Sequence, residues 1–517
     1  MEAPHNVPGK TDTEIRQSLL KNSGLIVGCR VVTATTSLVA VPFMVSKLGI
    51  DGYGAWESIV AVSTLFGMFQ SSIAGTLLWK MSQAHGIQDF ATIRRMIRLG
   101  VFGILCLCVL VTPVIWLSAA TLVQGLHIPQ RLVSEAKWVL PSLVGLTVFF
   151  GLNDVMGMSI AGCQRTGTVT IIQACSLVSN YVVAIALILH GYTLEGLLIG
   201  FVVGALVSSA LYFRTSQALC DGISLIPAIP TASEFKAMGS YSGLLFVGYS
   251  SSALRDQTDK IVLATFASSA WVGYYGVAAR LAALVMEVAR FFYTPLLTAV
   301  GAMHAADNWA GIKRIYVNMV TMVGCVAGIV TVIVAGLYDR VVMLWLGRSI
   351  PQSSVMILIL LMGNAFAVIL TGPGTAICRA IGKVWVETSY VVINLVGNII
   401  LTIALVLTIG PIGTVIASGS TLALSAVAFG FVLNRVVDLP HRASTHARGF
   451  LLIMIACAGI TRAIASRFPQ PTDRLGAFVS LLLLGSLATV LFLVLSVAAR
   501  LLPISSIRNL RRRSGTA

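Results

Sequence analysis

Runs of about twenty apolar residues with almost no charge recur along this chain, and they restrict its fold more than any other feature. "VFGILCLCVLVTPVIWLSAATLV" from 101 and "FVSLLLLGSLATVLFLVLSVAA" from 478 are two of them. A helix rises 1.5 Å per residue, so ~20 residues cross the ~30 Å hydrocarbon layer of a bilayer. Inside that layer every backbone polar group must be satisfied within the protein, which leaves helices or a closed barrel. The 517 residues are 57% hydrophobic and 10% charged, against roughly a quarter charged in soluble domains. The expected fold class is an all-α polytopic membrane protein with about fourteen transmembrane helices, starting near 22, 55, 99, 138, 170, 195, 239, 273, 317, 354, 386, 412, 449 and 475.

Charge placement gives the orientation. Lys80, Arg94, Arg95, Arg98, Arg165, Arg214, Lys236, Lys313, Arg314, Arg379, Lys383, Arg435, Arg442 and Arg448 fall on the side that also holds the basic tail Arg511 to Arg513. The positive-inside rule then puts both termini in the cytoplasm. The net charge of +16 reflects this bias, so it does not argue for nucleic-acid binding. The polar N-terminus lacks the short apolar core of a cleaved signal, and the first span is expected to insert the protein. "PGKT" at 8–11 lacks the glycine and preceding strand of a phosphate-binding loop. No CxxC pair or His ligand spacing suggests a disulfide framework or a metal site.

The chain repeats itself weakly. "LGIDGYGAW" (48–56) matches "SSAWVGYYGVA" (268–278), "DFATIRRM" (89–96) matches "NWAGIKRI" (308–315), "CQRTGTV" (163–169) matches "CRAIGKV" (378–384), and "LEGLLIG" (194–200) matches "PIGTVIA" (411–417), in the same order and at similar offsets. Six helices separate the copies, an even number, so the halves share one orientation. The expected division is a tail over 1–21, an N-lobe of helices one to six over 22–213, a cytoplasmic linker over 214–238 and a C-lobe of helices seven to twelve over 239–434. Two additional helices (435–499) and a basic tail (500–517) follow. Two such lobes would enclose a central cleft, where transporters of repeat architecture bind substrate.

Against this apolar background the intramembrane charges stand out. "SSALRDQTDKIVLATF" (251–266) packs Arg255, Asp256, Asp259 and Lys260 into the seventh helix. A charge at a helix centre costs roughly 2.5–3.5 kcal/mol. Arg255 with Asp259, and Asp256 with Lys260, are i,i+4 pairs that would neutralise one another. Either a structural ion-pair cluster or a gating element fits. The eighth helix carries Arg280, Glu287 and Arg290 as a charged stripe, and the second carries Glu57 near its outer end in line with Thr64 and Ser71. Arg30 in the first helix has no acid within that helix: it either lines a cavity or reaches the headgroups. Asp154 and Glu387 lie near helix ends, where capping or pairing is the plainer role. Arg30, Arg280 and Arg290 are candidate substrate-binding residues of a cationic cavity, since a guanidinium keeps its charge and grips phosphate bidentately. Arg255, Asp256, Asp259, Lys260, Glu287, Asp154 and Glu57 are candidates for gating or ion coupling.

"LGIDGYGAW", "QTDKIVLATFASSAWVGYYGVAARL", Pro295 and the basic "GIKR" loop together resemble the oligosaccharide flippase branch of the multidrug/oligosaccharidyl-lipid/polysaccharide exporter superfamily, over about residues 20–435. The resemblance implies a transporter, not an enzyme. It would move undecaprenyl-diphosphate-linked sugar units from the cytoplasmic to the periplasmic leaflet of a bacterial inner membrane, alongside polysaccharide polymerase and export machinery. It also implies that Asp259 and Lys260 form the acidic–basic pair of helix seven and that Arg280 fills the "A-x-R-L" position. No cofactor is expected, and coupling to protons or sodium ions is left open. The extra helix pair resembles the lipid II flippases, which keeps that cargo as an alternative. A multidrug cation antiporter of the same fold is another; it needs an acidic site, and the first helix offers Arg30 instead.

Overall fold

In the computed structural model, described over residues 12–163, 165–219, 224–437 and 441–501, helices account for nearly all of the chain and no strand occurs among the described residues. The elements in order are α1 (Asp12–Gly86), α2 (Phe90–Gly125), a 3-10 turn (Gln130–Leu132), α3 (Val133–Phe149), α4 (Gly151–Gly162), α5 (Thr166–Leu189), α6 (Leu194–Leu219), α7 (Ala232–Phe266), α8 (Ser269–Ala305), α9 (Trp309–Gly336), α10 (Tyr338–Leu346), α11 (Pro351–Ala380), α12 (Val384–Ile409), α13 (Ile412–Val437), α14 (His441–Ala465) and α15 (Arg474–Ala498). Among the described residues, eleven helical stretches are long and apolar enough to cross a membrane. Each expected span start falls inside an observed helix. Two expected spans share α1, which breaks at Gly49 (φ 77°, ψ 171°) into two arms. That positive φ suits glycine, which has no Cβ to clash there.

The chain forms two compact units, one of Met1–Gly52 with Ile59–Ala253, the other of Tyr53–Ser58 with Leu254–Ala517. In the first unit α5 packs along α6 through small residues, and Ser176 Oγ donates to the Gly204 carbonyl at 2.7 Å. Small residues let membrane helices approach closely where no hydrophobic force drives them together. The segment joining α6 to α7 is pinned to α2. Arg95 donates to Glu234 through Nε and Nη2 at 3.2 and 3.0 Å and to the Ile229 carbonyl at 3.1 Å, while Arg98 Nε reaches the Ile226 carbonyl at 3.1 Å.

In the second unit α8 packs on α11, α12 on α13, and α14 with α15 on α9. The α9 seam is made of glycines under aromatic rings. Gly324 sits beneath Phe450 and Gly328 beneath Phe492, whose rings lie 6.3 Å apart. The short α10, which apolar periodicity did not reveal, carries Arg340, 1% exposed, whose Nη2 donates to the Ala465 carbonyl at 2.9 Å. Beside it Arg462 of α14 pairs with Asp339 at 2.5 Å and lies over the Tyr338 ring at 4.2 Å. Large apolar side chains such as Leu117, Phe431, Leu452 and Leu482 remain exposed, as helices facing hydrocarbon require.

Candidate functional site

The second arm of α1 begins with the glycines of "GIDGYGAWES". A Cβ on Gly54 would stand 1.7 Å from the Ser269 carbonyl oxygen of α8, and one on Gly276 would stand 3.1 Å from the Tyr53 ring. The two copies of the repeated aromatic–glycine motif therefore pack directly on each other. This close seam brings Glu57, one turn beyond Tyr53, up to the charged faces of α7 and α8.

Glu57 is the centre of an ion triad. Lys260 Nζ lies 2.6 Å from its Oε2, Arg280 Nη2 lies 3.4 Å from its Oε1, and the Tyr53 hydroxyl donates to Oε1 at 2.8 Å. Glu57 is 4% exposed. Of the i,i+4 pairs expected along α7, Asp256 with Lys260 involves a side chain outside the described residues. Lys260 reaches across to α1. Asp259, 3% exposed, accepts from the hydroxyls of Tyr275 (2.7 Å), Thr402 (3.3 Å) and Ser418. Hydroxyls satisfy a buried carboxylate without burying a second charge.

Both groups border a polar cavity of about 550 Å³ lined by α7, α8, α11, α12 and α13. Its charged lining is Arg255, Lys260, Arg280, Asp259 and Glu287, and its neutral polar lining is Gln257, Asn364, Tyr390, Asn394, Asn398 and Ser418. The lining around Arg280 is of mixed charge, since Asp259 and Glu287 stand beside the cations. On α12, Tyr390, Asn394, Asn398 and Thr402 follow one another at four-residue steps and so share one face. That stripe was readable in the sequence and was missed, because it carries no charge. Three hydroxyls thus converge on the Asp259 carboxylate, and Asn398 Nδ2 donates to the Ser418 hydroxyl beside it at 2.8 Å. Among the described residues no group of three or more His, Cys, Asp or Glu forms a metal cluster.

The other candidates lie elsewhere. Arg30, in the first unit, is exposed on the first arm of α1 and has no carboxylate partner among the described residues. Asp154, on α4 of the first unit, accepts from Gln70 Nε2 at 3.4 Å. Glu387 forms a bidentate pair with Arg379, both contacts at 2.6 Å. The side chains of Asp256 on α7 and Arg290 on α8 fall outside the described residues.

Comparison with known proteins gives consistent matches. The MatE family model matches residues 29–186. A protein of Rhizobium meliloti (strain 1021) described as a probable multidrug resistance protein NorM is 27% identical over 152 residues. That match takes in 28% of this chain and spans about a third (31%) of the relative's length. Among solved structures, a lipid II flippase MurJ in an inward closed conformation superposes with a TM-score of 0.71 at 14% identity, over 92% of this chain and 99% of its own. An inward-facing multidrug resistance MATE family transporter of the MOP superfamily gives 0.63 at 14% identity, over 78% and 94%. The Vibrio cholerae MATE transporter VcmN gives 0.58 at 12% identity, over 83% and 99%. Together these matches give the chain the fold shared by MATE family transporters and the lipid II flippase MurJ, in a multi-pass membrane protein.

Proposed function

We propose that this chain is a flippase that carries undecaprenyl-diphosphate-linked oligosaccharide repeat units from the cytoplasmic to the periplasmic leaflet of a bacterial inner membrane, for cell-surface polysaccharide synthesis. The observation that carries the reading is the second unit's cavity. Arg255, Lys260 and Arg280 line one polar space inside apolar helices, beside the carboxylates of Asp259 and Glu287 and the amides of Asn364, Asn394, Asn398 and Gln257. Cations suit a diphosphate, and amides suit sugar hydroxyls. Arg30, exposed in the first unit, adds a further cation for the cargo, and the polyprenyl tail stays in lipid. Outward movement of negative charge is favoured by a negative-inside potential, about 2.3 kcal/mol per charge per 100 mV. Alternating access between the proposed lobes 22–213 and 239–434 would expose the cavity to each side in turn, with a proton or sodium ion at Asp259 as coupling partner. The fuller coverage against the lipid II flippase, 92% of this chain compared with 78–83% against the two multidrug structures, also supports a lipid-linked cargo.

The NorM relative favours a second reading, export of cationic drugs. One deletion strain separates the two. Build-up of lipid-linked oligosaccharide on the cytoplasmic face, relieved by wild type and not by an Arg280→Ala variant expressed equally, supports the flippase. Unchanged glycan pools with raised sensitivity to cationic drugs overturn it in favour of the multidrug reading.

A further inference from the structure

We infer that Glu57 is the cavity's resident counter-anion and sets a charge threshold for cargo: it holds Lys260 and Arg280 as an anionic ligand would, and a ligand must outcompete it to bind them. The inference rests on the anionic-cargo reading above.

The geometry gives Glu57 this part. Its two carboxylate oxygens are divided between the cations, Oε2 to Lys260 at 2.6 Å and Oε1 to Arg280 at 3.4 Å. The Tyr53 hydroxyl, 2.8 Å from Oε1, keeps the carboxylate turned to them. Lys260 and Arg280 line the cavity beside Asp259 and Glu287, and Glu57 does not: its side chain is 5% exposed against 16% and 36% for the two cations. A ligand entering the cavity therefore meets the same two cations. A monoanion offers them no more charge than Glu57 already does. A diphosphate, with about two charges spread over adjoining phosphoryl groups, can engage both cations and leave Glu57 to its hydroxyl partner. Glu57 thereby favours diphosphates over monophosphates and free carboxylates, a selection by repulsion as much as by attraction.

The test is equilibrium binding of farnesyl diphosphate and farnesyl monophosphate to the purified full-length protein in nanodiscs, for wild type, Glu57→Gln, Glu57→Asp, Lys260→Met and Arg280→Met. Wild type is expected to prefer the diphosphate. Glu57→Gln should tighten the monophosphate on the order of tenfold and narrow that preference, within the usual span of coupling between two ligands. Glu57→Asp, which keeps the charge and withdraws it by one methylene, should fall between. If both Glu57 variants bind like wild type or more weakly while Lys260→Met weakens the diphosphate, the counter-anion role is overturned and the anion site stands. If neither Lys260→Met nor Arg280→Met changes diphosphate binding, the anionic-cargo reading itself fails and the inference goes with it.

Discussion

Replacing Lys260 with methionine tests the ion triad as a structural unit. Methionine keeps most of the length of the lysine stem and removes only the charge. At 2.6 Å and an effective dielectric of about 20, the Lys260–Glu57 attraction is about 6 kcal/mol before desolvation is counted. Most of that offsets the cost of holding Glu57 at 4% exposure. Breaking a buried pair by removing one partner costs about 3–5 kcal/mol, because the other charge is left behind. Arg280 remains 3.4 Å away and Tyr53 still donates, so Lys260→Met should lie at the low end, about 3 kcal/mol. Glu57→Gln combined with Lys260→Met leaves no stranded anion, and the pair should cost about 2 kcal/mol less than the sum of the singles. Reversible unfolding in mixed micelles with rising dodecyl sulfate, followed by circular dichroism, measures the cycle. Additivity of the two changes within about 0.5 kcal/mol would refute the view that these charges act on each other in the folded protein.

Three further outcomes follow from features outside the triad. Gly54→Ala places a methyl where the Ser269 carbonyl already lies, and since that atom is backbone the helices must part. The variant should lose stability, whereas an ordinary helical Gly→Ala change would gain up to about 1 kcal/mol, and unchanged or improved thermal stability would count against the seam. Phe492→Ala empties the ring stacked over Gly328 and should cost about 3–5 kcal/mol, with α15 becoming protease-sensitive first. On the segment between α6 and α7, hydrogen bonding and charge from Arg95 hold the Glu234 carboxyl down at about 2. A depressed carboxyl contributes stability above its ordinary value, and that contribution is lost as pH falls from about 4.5 toward 2. Amide exchange over 224–231 should therefore quicken across that window in wild type. In Glu234→Gln it should already be fast at pH 6, and equal rates in the two proteins there would remove the pin.

The membrane fold was legible because hydrocarbon imposes a length and a composition that the chain displays openly. The repeat between 48–56 and 268–278 was read as a sign of two lobes; that Tyr53 and Gly54 of one copy pack on Gly276 and Ser269 of the other did not follow from it. The site was only half legible. Lys260, Asp259 and Arg280 drew notice as charges in an apolar setting, but their partners did not follow from spacing. Glu57 lies 203 residues from Lys260 along the chain. The hydroxyls around Asp259 come from α8, α12 and α13, and no local pattern joins them. Local reasoning chose i,i+4 neighbours on α7 because those are the only contacts a helix guarantees. The break at Gly49 was hidden by the unbroken apolar pattern on either side of it, and α10 is too short to show a period.

The seam in which Gly54 rests on Ser269, and Tyr53 on Gly276, joins two versions of a single motif. A contact of this kind is close to self-complementary, as the face of a two-fold dimer is. A half-length chain that held Glu57 would lack Lys260 and Arg280, and it would complete the ion cluster only by finding the other half, so that occupancy would depend on concentration. Held in one polypeptide, the same association becomes unimolecular, with an effective concentration fixed by chain connectivity. Dilution in the membrane, or a fall in expression, then leaves the charged centre assembled.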